Sequence, residues 1–136
     1  MRCVLDSSSA LAWVLPGEAN DASDALLSDI VDQGAVAPGI WPLETANVLW
    51  TAERRGRITL AERLQAVAIL AGLPIQVDTR TAALAWGATS ELAASRGLTV
   101  YDASYLELAL RLGLPLASND KDLRQAAVAC GVALMG

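Results

Sequence analysis

Short apolar runs alternate with helix-like segments from one end of this sequence to the other, and that alternation leaves few folds open. Cys3-Val4-Leu5 reads as a first strand, residues 35–37 as a second, 75–77 as a third, and 114–117 and 132–134 as the last two. Helical patterning covers residues 7–15, 21–31, 41 to about 55, 60–71, 81–96, 104–112 and 121–130. Pro16-Gly17 stops the first helix. Pro42 suits the start of the third, where a missing N–H removes no bond. In the 81–96 segment Ala82, Ala85, Trp86, Leu92 and Ala93 recur at a period of about 3.6 residues. Strands alternating with helices predict a three-layer α/β/α sandwich with a mostly parallel central sheet. Functional groups in such sheets gather beyond the carboxyl ends of the strands.

An acid marks that edge three times. Asp6 closes the first apolar run, Val100-Tyr101-Asp102-Ala103 opens the helical 104–112 segment, and Leu116-Ala117-Ser118-Asn119-Asp120 leads into the last helix. Taken singly, each acid is explained as an N-cap, since Asp is among the best capping residues. Taken together, three acids at strand-to-helix junctions of a parallel sheet converge on one pocket. Glu44 is a fourth candidate; it gains from the positive end of its own helix in any case, by roughly 0.3–1 kcal/mol.

Crowded carboxylates raise one another's pKa unless a positive charge sits among them. The chain has no His and a single Lys, Lys121, so neither imidazole chemistry nor a lysine counter-ion for each acid is available. A divalent cation is the economical partner, and all-oxygen ligation favours Mg²⁺ or Mn²⁺ over zinc. Such an ion points to phosphodiester or phosphoryl chemistry, with a polarised phosphate and an activated water. Without His, Ser-His-Asp and Cys-His catalysis are both excluded.

Composition sets the outer bounds. The 136 residues suit one domain, 1–136, with a sizeable core. Hydrophobic residues make up 54% and aromatics 4%, with no Phe, so the interior must be built from Leu, Ala and Val. So apolar a chain is expected to leave contiguous greasy surface for a partner. The net charge of −5 argues against a protein that coats nucleic acid by bulk electrostatics, while leaving room for a nuclease with local basic groups. Cys3 and Cys130 lack metal or redox spacing and read as buried free thiols of a reducing cytoplasm. Asp6 interrupts the apolar run that a signal peptide would need, and the apolar stretch 66–77 is broken by Gly72-Leu73-Pro74, too short to span a bilayer. A soluble cytoplasmic protein with no membrane association is expected.

Four blocks carry a family resemblance. Val4-Leu5-Asp6-Ser7-Ser8-Ser9-Ala10-Leu11, Leu43-Glu44-Thr45-Ala46-Asn47-Val48-Leu49, Thr99-Val100-Tyr101-Asp102-Ala103-Ser104-Tyr105-Leu106 and Leu116-Ala117-Ser118-Asn119-Asp120-Lys121-Asp122-Leu123 resemble, in order, the blocks of PIN-domain ribonucleases. Among these the likeness is to VapC-type toxins of toxin-antitoxin pairs, and it covers essentially the whole chain. The resemblance implies that Asp6, Glu44, Asp102 and Asp120 bind Mg²⁺ or Mn²⁺ and activate water for RNA cleavage. Ser118 stands where the family often has Thr and keeps the hydroxyl. Ser7, Asn119 and Asp122 are supporting candidates, although Ser7 is equally well read as a helix-start residue and Asp122 better as a solvated first-turn acid. The resemblance also implies a homodimer inhibited by a VapB-type antitoxin whose C-terminal segment covers the acidic pocket.

Lys121 and Arg124, beside Asp120, are the better candidates for RNA phosphate contact. Arg54, Arg55 and Arg57 form the only basic cluster, for which the resemblance implies an RNA-contact role, but they read first as a helix C-terminus, where cations complement the dipole and Gly56 ends the turn. The four Trp residues read as core or interface rather than base-stacking platforms. Three rivals remain. A receiver domain would show an acid pair after its first strand, whereas Asp6 is followed by Ser7. A haloacid-dehalogenase-type phosphatase would place an acid where Ser8 stands. A catalytically degenerate binding module would leave four aligned acids without purpose.

Overall fold

A computed structural model describes residues 2–135. Four short strands, β1 (Cys3–Leu5), β2 (Ala35–Ala37), β3 (Ile75–Val77) and β4 (Leu116–Ala117), form one sheet in the order β3-β2-β1-β4. Every pairing is parallel, with Val4 opposite Val36 on one side and Leu116 on the other. The expected last strand, 132–134, contributes only a single parallel bridge between Leu134 and Leu116. β1 is therefore central and wholly buried, while β3 lies on an edge and is partly exposed.

The helices that flank the sheet are α1 (Ser7–Leu11), α2 (Asp21–Gln33), α3 (Trp41–Arg54), α4 (Leu60–Ala71), α5 (Thr81–Leu84), α6 (Ser90–Arg96), α7 (Val100–Leu112) and α8 (Lys121–Ala129). Their starts are dictated locally. Asn20 with Ser23, and Thr59 with Glu62, form reciprocal capping boxes for α2 and α4, each satisfying two N–H groups that a helix end would otherwise leave unpaired. Thr99 caps α7 by accepting the Asp102 N–H. α7 packs on β1 and β4, and Ala103 through Ala109 are all buried, so this helix is the second backbone of the core beside β1. As its composition requires, the core consists mainly of Leu, Ala and Val, with Tyr105 and Trp41 as its large aromatics.

Two expectations need correction. The single helix expected over 81–96 is broken into α5, a π-helical turn at Ala85–Thr89, and α6. Gly87 sits in the break at φ −110°, ψ −108°, outside helical geometry, and Trp86 is left 99% exposed, so the first part of the apparent apolar stripe does not face the core, whereas Leu92 and Ala93 in α6 do. Periodicity alone could not see that a glycine would take the conformation interrupting it. Secondly, Asp102 does not follow a strand. It lies in the first turn of α7, which succeeds α6 through Gly97, and it reaches the sheet edge because α7 packs against β1 and β4.

Both thiols are free, and burial pushes Cys3 up to about 11, an inert core group. Among the described residues no helix is long and apolar enough to cross a membrane.

Arg111, in the last turn of α7, ties that helix to the β3 end. Its guanidinium donates to Oδ1 and Oδ2 of Asp78 at 3.2 and 2.8 Å and also pairs with Glu107 at 2.9 Å. Asp78 in turn accepts from Thr81, whose hydroxyl accepts the Gly39 N–H at 2.8 Å, so the loops after β2 and β3 and the end of α7 share one network. Arg111→Met should lower the unfolding free energy in urea by roughly 3 kcal/mol, because two largely buried carboxylates lose their counter-charge. The guanidinium side chain is 20% exposed, which favours the low end of that class of effect. The double change with Asp78→Asn should cost less than the sum of the two single changes. Strict additivity would contradict the network.

Candidate active site

Asp6 stands at the carboxyl end of the central strand, 3% exposed, and takes the N-cap position of α1 without capping it. Its Oδ2 accepts the hydroxyls of Ser8 at 2.6 Å and Ser118 at 2.7 Å, and the Ser7 hydroxyl lies 3.5 Å from Oδ1. The capping explanation therefore fails for this acid. Ser118 also accepts the backbone N–H of Asp120 at 3.0 Å, and Ser8 accepts that of Asn119 at 3.0 Å. The start of α1 and the β4–α8 loop are thus knitted together around one carboxylate.

Of the other acids only Asp120 is a true cap, accepting the Leu123 N–H at 2.9 Å through Oδ1. Asp102 is half-buried one turn into α7, where the capping duty belongs to Thr99. Glu44 lies in the first turn of α3 and accepts a short hydrogen bond from the Tyr105 hydroxyl. Tyr105 is fully buried and three residues beyond Asp102, so one face of α7 supplies both groups.

The acids feel one another. Burial raises the Asp6 pKa, the Ser8 and Ser118 hydroxyls oppose that rise, and the Asp120 charge adds to it. Burial also raises Glu44, against the Tyr105 hydrogen bond and with the Asp6 charge. Asp102 is pushed up to about 6 by burial first, then by the charges of Asp120, Asp6 and Glu44. Burial and the Glu44 carboxylate hold the Tyr105 phenol well above its usual value, so it remains a proton donor to Glu44. All four acids suggested by the sequence therefore face a common region.

Of the supporting candidates, Ser7, Ser118 and Asn119 lie within this network. Asp122 is exposed in the first turn of α8, as a solvated first-turn acid should be. Lys121 is exposed at the start of α8, while Arg124 spends one edge of its guanidinium on the Ser118 carbonyl at 2.9 Å. Sequence reasoning missed Ser8 and Tyr105 as site residues. Their signals were spacings from known acids, two residues after Asp6 and three after Asp102, where a hydroxyl can reach the same pocket.

The donor set fits a hard divalent cation. Its groups are carboxylates and hydroxyls, with no imidazole or thiolate among them. Among the described residues the ion pairs are Arg63–Glu53, Arg111–Asp78 and Arg111–Glu107, so no basic side chain neutralises any of the four acids. No three His, Cys, Asp or Glu side chains among the described residues are already arranged to hold an ion. Mg²⁺ keeps several waters and is held through one or two protein carboxylates, so it does not require three of them at once.

A model of the PIN domain family matches residues 3–129. The chain belongs to the PIN-domain family. Ribonuclease VapC3 of Pyrobaculum aerophilum is 27% identical over 125 residues, spanning 92% of this chain and 94% of that protein. The crystal structure of VapBC2 from Rickettsia felis, bound to a DNA fragment from their promoter, superposes with a TM-score of 0.68 at 11% identity, over 98% of this chain and 97% of that one. Mycobacterium tuberculosis VapC20, described as a sarcin-ricin loop cleaving toxin, gives 0.64 at 18% identity, over 91% and 94%. This PIN domain is thus a distant homologue of VapC ribonuclease toxins, and its all-parallel four-stranded sheet is PIN-like.

The raised carboxyls make a pH prediction. A group with a folded pKa above its unfolded value holds its proton in the folded chain after the unfolded chain has released it, so stability falls as pH rises through that interval. For Asp102 the interval runs from 3.8 to about 6. Asp78 is shifted the other way by Arg111, and its contribution is already complete above 3.8. No His titrates in between. In EDTA the melting temperature should therefore fall between about pH 4 and pH 6, and Asp102→Asn should flatten part of that slope. A melting temperature that climbs through the window would contradict the assignment.

Proposed function

We propose that this PIN-domain protein is a metal-dependent endoribonuclease and the toxin of a toxin-antitoxin pair. The observation that carries the reading is a buried carboxylate, Asp6, exempt from capping and sharing its pocket with Glu44, Asp102 and Asp120 while no basic side chain pairs with any of them. Its VapC-named relative and structural neighbours support the choice of RNA and of a VapB-type antitoxin as partner.

In this reading the four acids hold Mg²⁺ or Mn²⁺, which supplies polarisation of a phosphate and a more acidic water. Ser8 and Ser118 fix the Asp6 carboxylate so that its orientation costs nothing when substrate arrives. Tyr105 does the same for Glu44. Ser7, between Asp6 and Glu44, and Asn119, bonded to Ser8, complete the supporting shell, and Lys121 with the free edge of Arg124 lies where substrate phosphates approach. The exposed apolar side chains Leu43, Trp50, Leu64 and Trp86 support the expectation of partner surfaces, for an antitoxin and a second copy, on a cytoplasmic protein.

Purified protein, freed of any antitoxin, should cleave RNA with Mg²⁺ or Mn²⁺ and not with EDTA. Asp6→Ala and Asp102→Ala should each lower kcat/KM by at least about 100-fold, equivalent to roughly 3 kcal/mol of transition-state stabilisation. Tyr105→Phe should cost about tenfold, the worth of one hydrogen bond to a charged group. Cleavage that persists in EDTA would overturn the metal chemistry, and intact protein that binds RNA without cutting it would make this a degenerate binding module.

A further inference from the structure

One turn before the Glu44–Tyr105 contact, the same two helices border a second cavity. Ile40 precedes Glu44 by four residues, and its carbonyl accepts the Glu44 N–H at 2.9 Å; Tyr101 precedes Tyr105 by four residues on α7. Residues so spaced share a helix face. Ile40 and Tyr101 both line this cavity, whose volume is about 300 Å³, so it begins about 5 Å, one helical pitch, from the bond that joins Glu44 to Tyr105. Tyr101 also adjoins Asp102 in the chain. The cavity is therefore built on the two helices that carry Glu44 and Asp102.

Its chemistry differs from that of the acids. Ile40, Ala82, Ala85 and Val100 supply apolar walls, and no charged side chain lines it. Four hydroxyls belong to its lining residues. Those of Thr81 and Ser104 are spent inside the fold: Thr81 donates to Asp78 and accepts the Gly39 N–H, and Ser104 donates to the Tyr101 carbonyl at 2.6 Å. Thr89 is different. It is 2% exposed, stands at the start of α6 without capping it, and its hydroxyl has no partner among the described residues. Nor is that hydroxyl sealed in the core, since the one fully buried side-chain N or O atom left unpartnered among the described residues is the Trp41 indole nitrogen. The Thr89 hydroxyl opens on the cavity. Tyr101 is the opposite case, an aromatic ring on the cavity wall that is 61% exposed. A nearly buried polar group without a partner is costly, and in an apolar cleft it marks where a ligand supplies one.

We infer that this cavity receives one unstacked base of the substrate strand, with Tyr101 stacking on its face and Thr89 hydrogen-bonding its edge. An apolar cleft with one placed polar group, near the lower end of the roughly 300–1,000 Å³ typical of small-molecule sites, suits a planar ring system. Single-stranded RNA is commonly recognised so, by aromatic side chains that take a splayed base and polar groups that meet its edge. A hydroxyl is both donor and acceptor, so Thr89 can meet either kind of group on a base. The inference rests on the nuclease reading and names which part of the substrate lies beside the acids.

The test reads binding apart from cleavage. The full-length chain with Asp102→Asn, in EDTA, is titrated with short single-stranded RNAs in which the fluorescent base 2-aminopurine replaces each base in turn. Binding should quench one position. Tyr101→Ala, a change at an exposed side chain, should abolish that quench and weaken binding about tenfold. Thr89→Val should weaken it about fivefold, and Thr89→Ser should restore it. Neither residue is charged, so the dependence of affinity on salt should stay as it was. On RNA made abasic at the quenched position both substitutions should lose their effect, whereas a merely structural role would cost affinity on either RNA. No quenched position, or equal losses on intact and abasic RNA, overturns the base site. If Tyr101→Ala turns a dimer into monomers in sedimentation and leaves RNA affinity unmoved, the occupant is a second copy and the proposal is likewise overturned. A wild-type chain that shows the Tyr101-dependent quench but never cuts RNA with Mg²⁺ would sink the nuclease reading and leave the base site standing.

Discussion

Burying an ionised carboxylate at the end of a central strand is costly unless hydroxyls or N–H groups replace the lost water. Asp6 meets that demand with the hydroxyls of Ser8 and Ser118, and the consequences spread through the molecule. Because those serines also accept the backbone N–H groups of Asn119 and Asp120, the hydrogen bonds that make Asp6 tolerable also hold the β4–α8 loop against the start of α1. The loop held in this way carries Asp120, and α7, packed on the same strand, carries Asp102 and Tyr105. The remaining electrostatic cost, the mutual repulsion of four acids, is met by no basic side chain. A site whose folding leaves that repulsion unrelieved is prepared for either a proton or a cation.

Ion pairing is instead concentrated elsewhere. Arg111 neutralises Asp78 and Glu107, two acids that line no part of the carboxylate pocket, and so fixes the far end of α7 to the β3 edge. The acidic end of the same helix is left without counter-charge. The ion-pair network and the unpaired acids thus occupy opposite ends of one helix, and changes at the two ends should act on different properties.

Much of this was legible in the sequence because parallel α/β topology converts junction position into spatial position. Asp6 and Asp120 follow strands directly, so their convergence could be read from order alone. Asp102 reached the pocket by another route, through the packing of α7, and its motif rather than its junction revealed it. The break at Gly87 was hidden because an apolar period continues across it while the backbone does not. Tyr105 and Ser8 were hidden for a different reason: an apolar-looking aromatic in a buried helix and one serine in a run of three give no hint of their hydrogen-bond partners.

The most direct test of the central claim is anomalous scattering from crystals of the full-length chain soaked in Mn²⁺ at a pH above the raised carboxyl of Asp102. A manganese peak is expected within ligand distance of at least two of Asp6, Glu44, Asp102 and Asp120, with water completing the shell. A crystal of protein active with Mn²⁺ that shows no peak in this pocket, or places it on other residues, would contradict it.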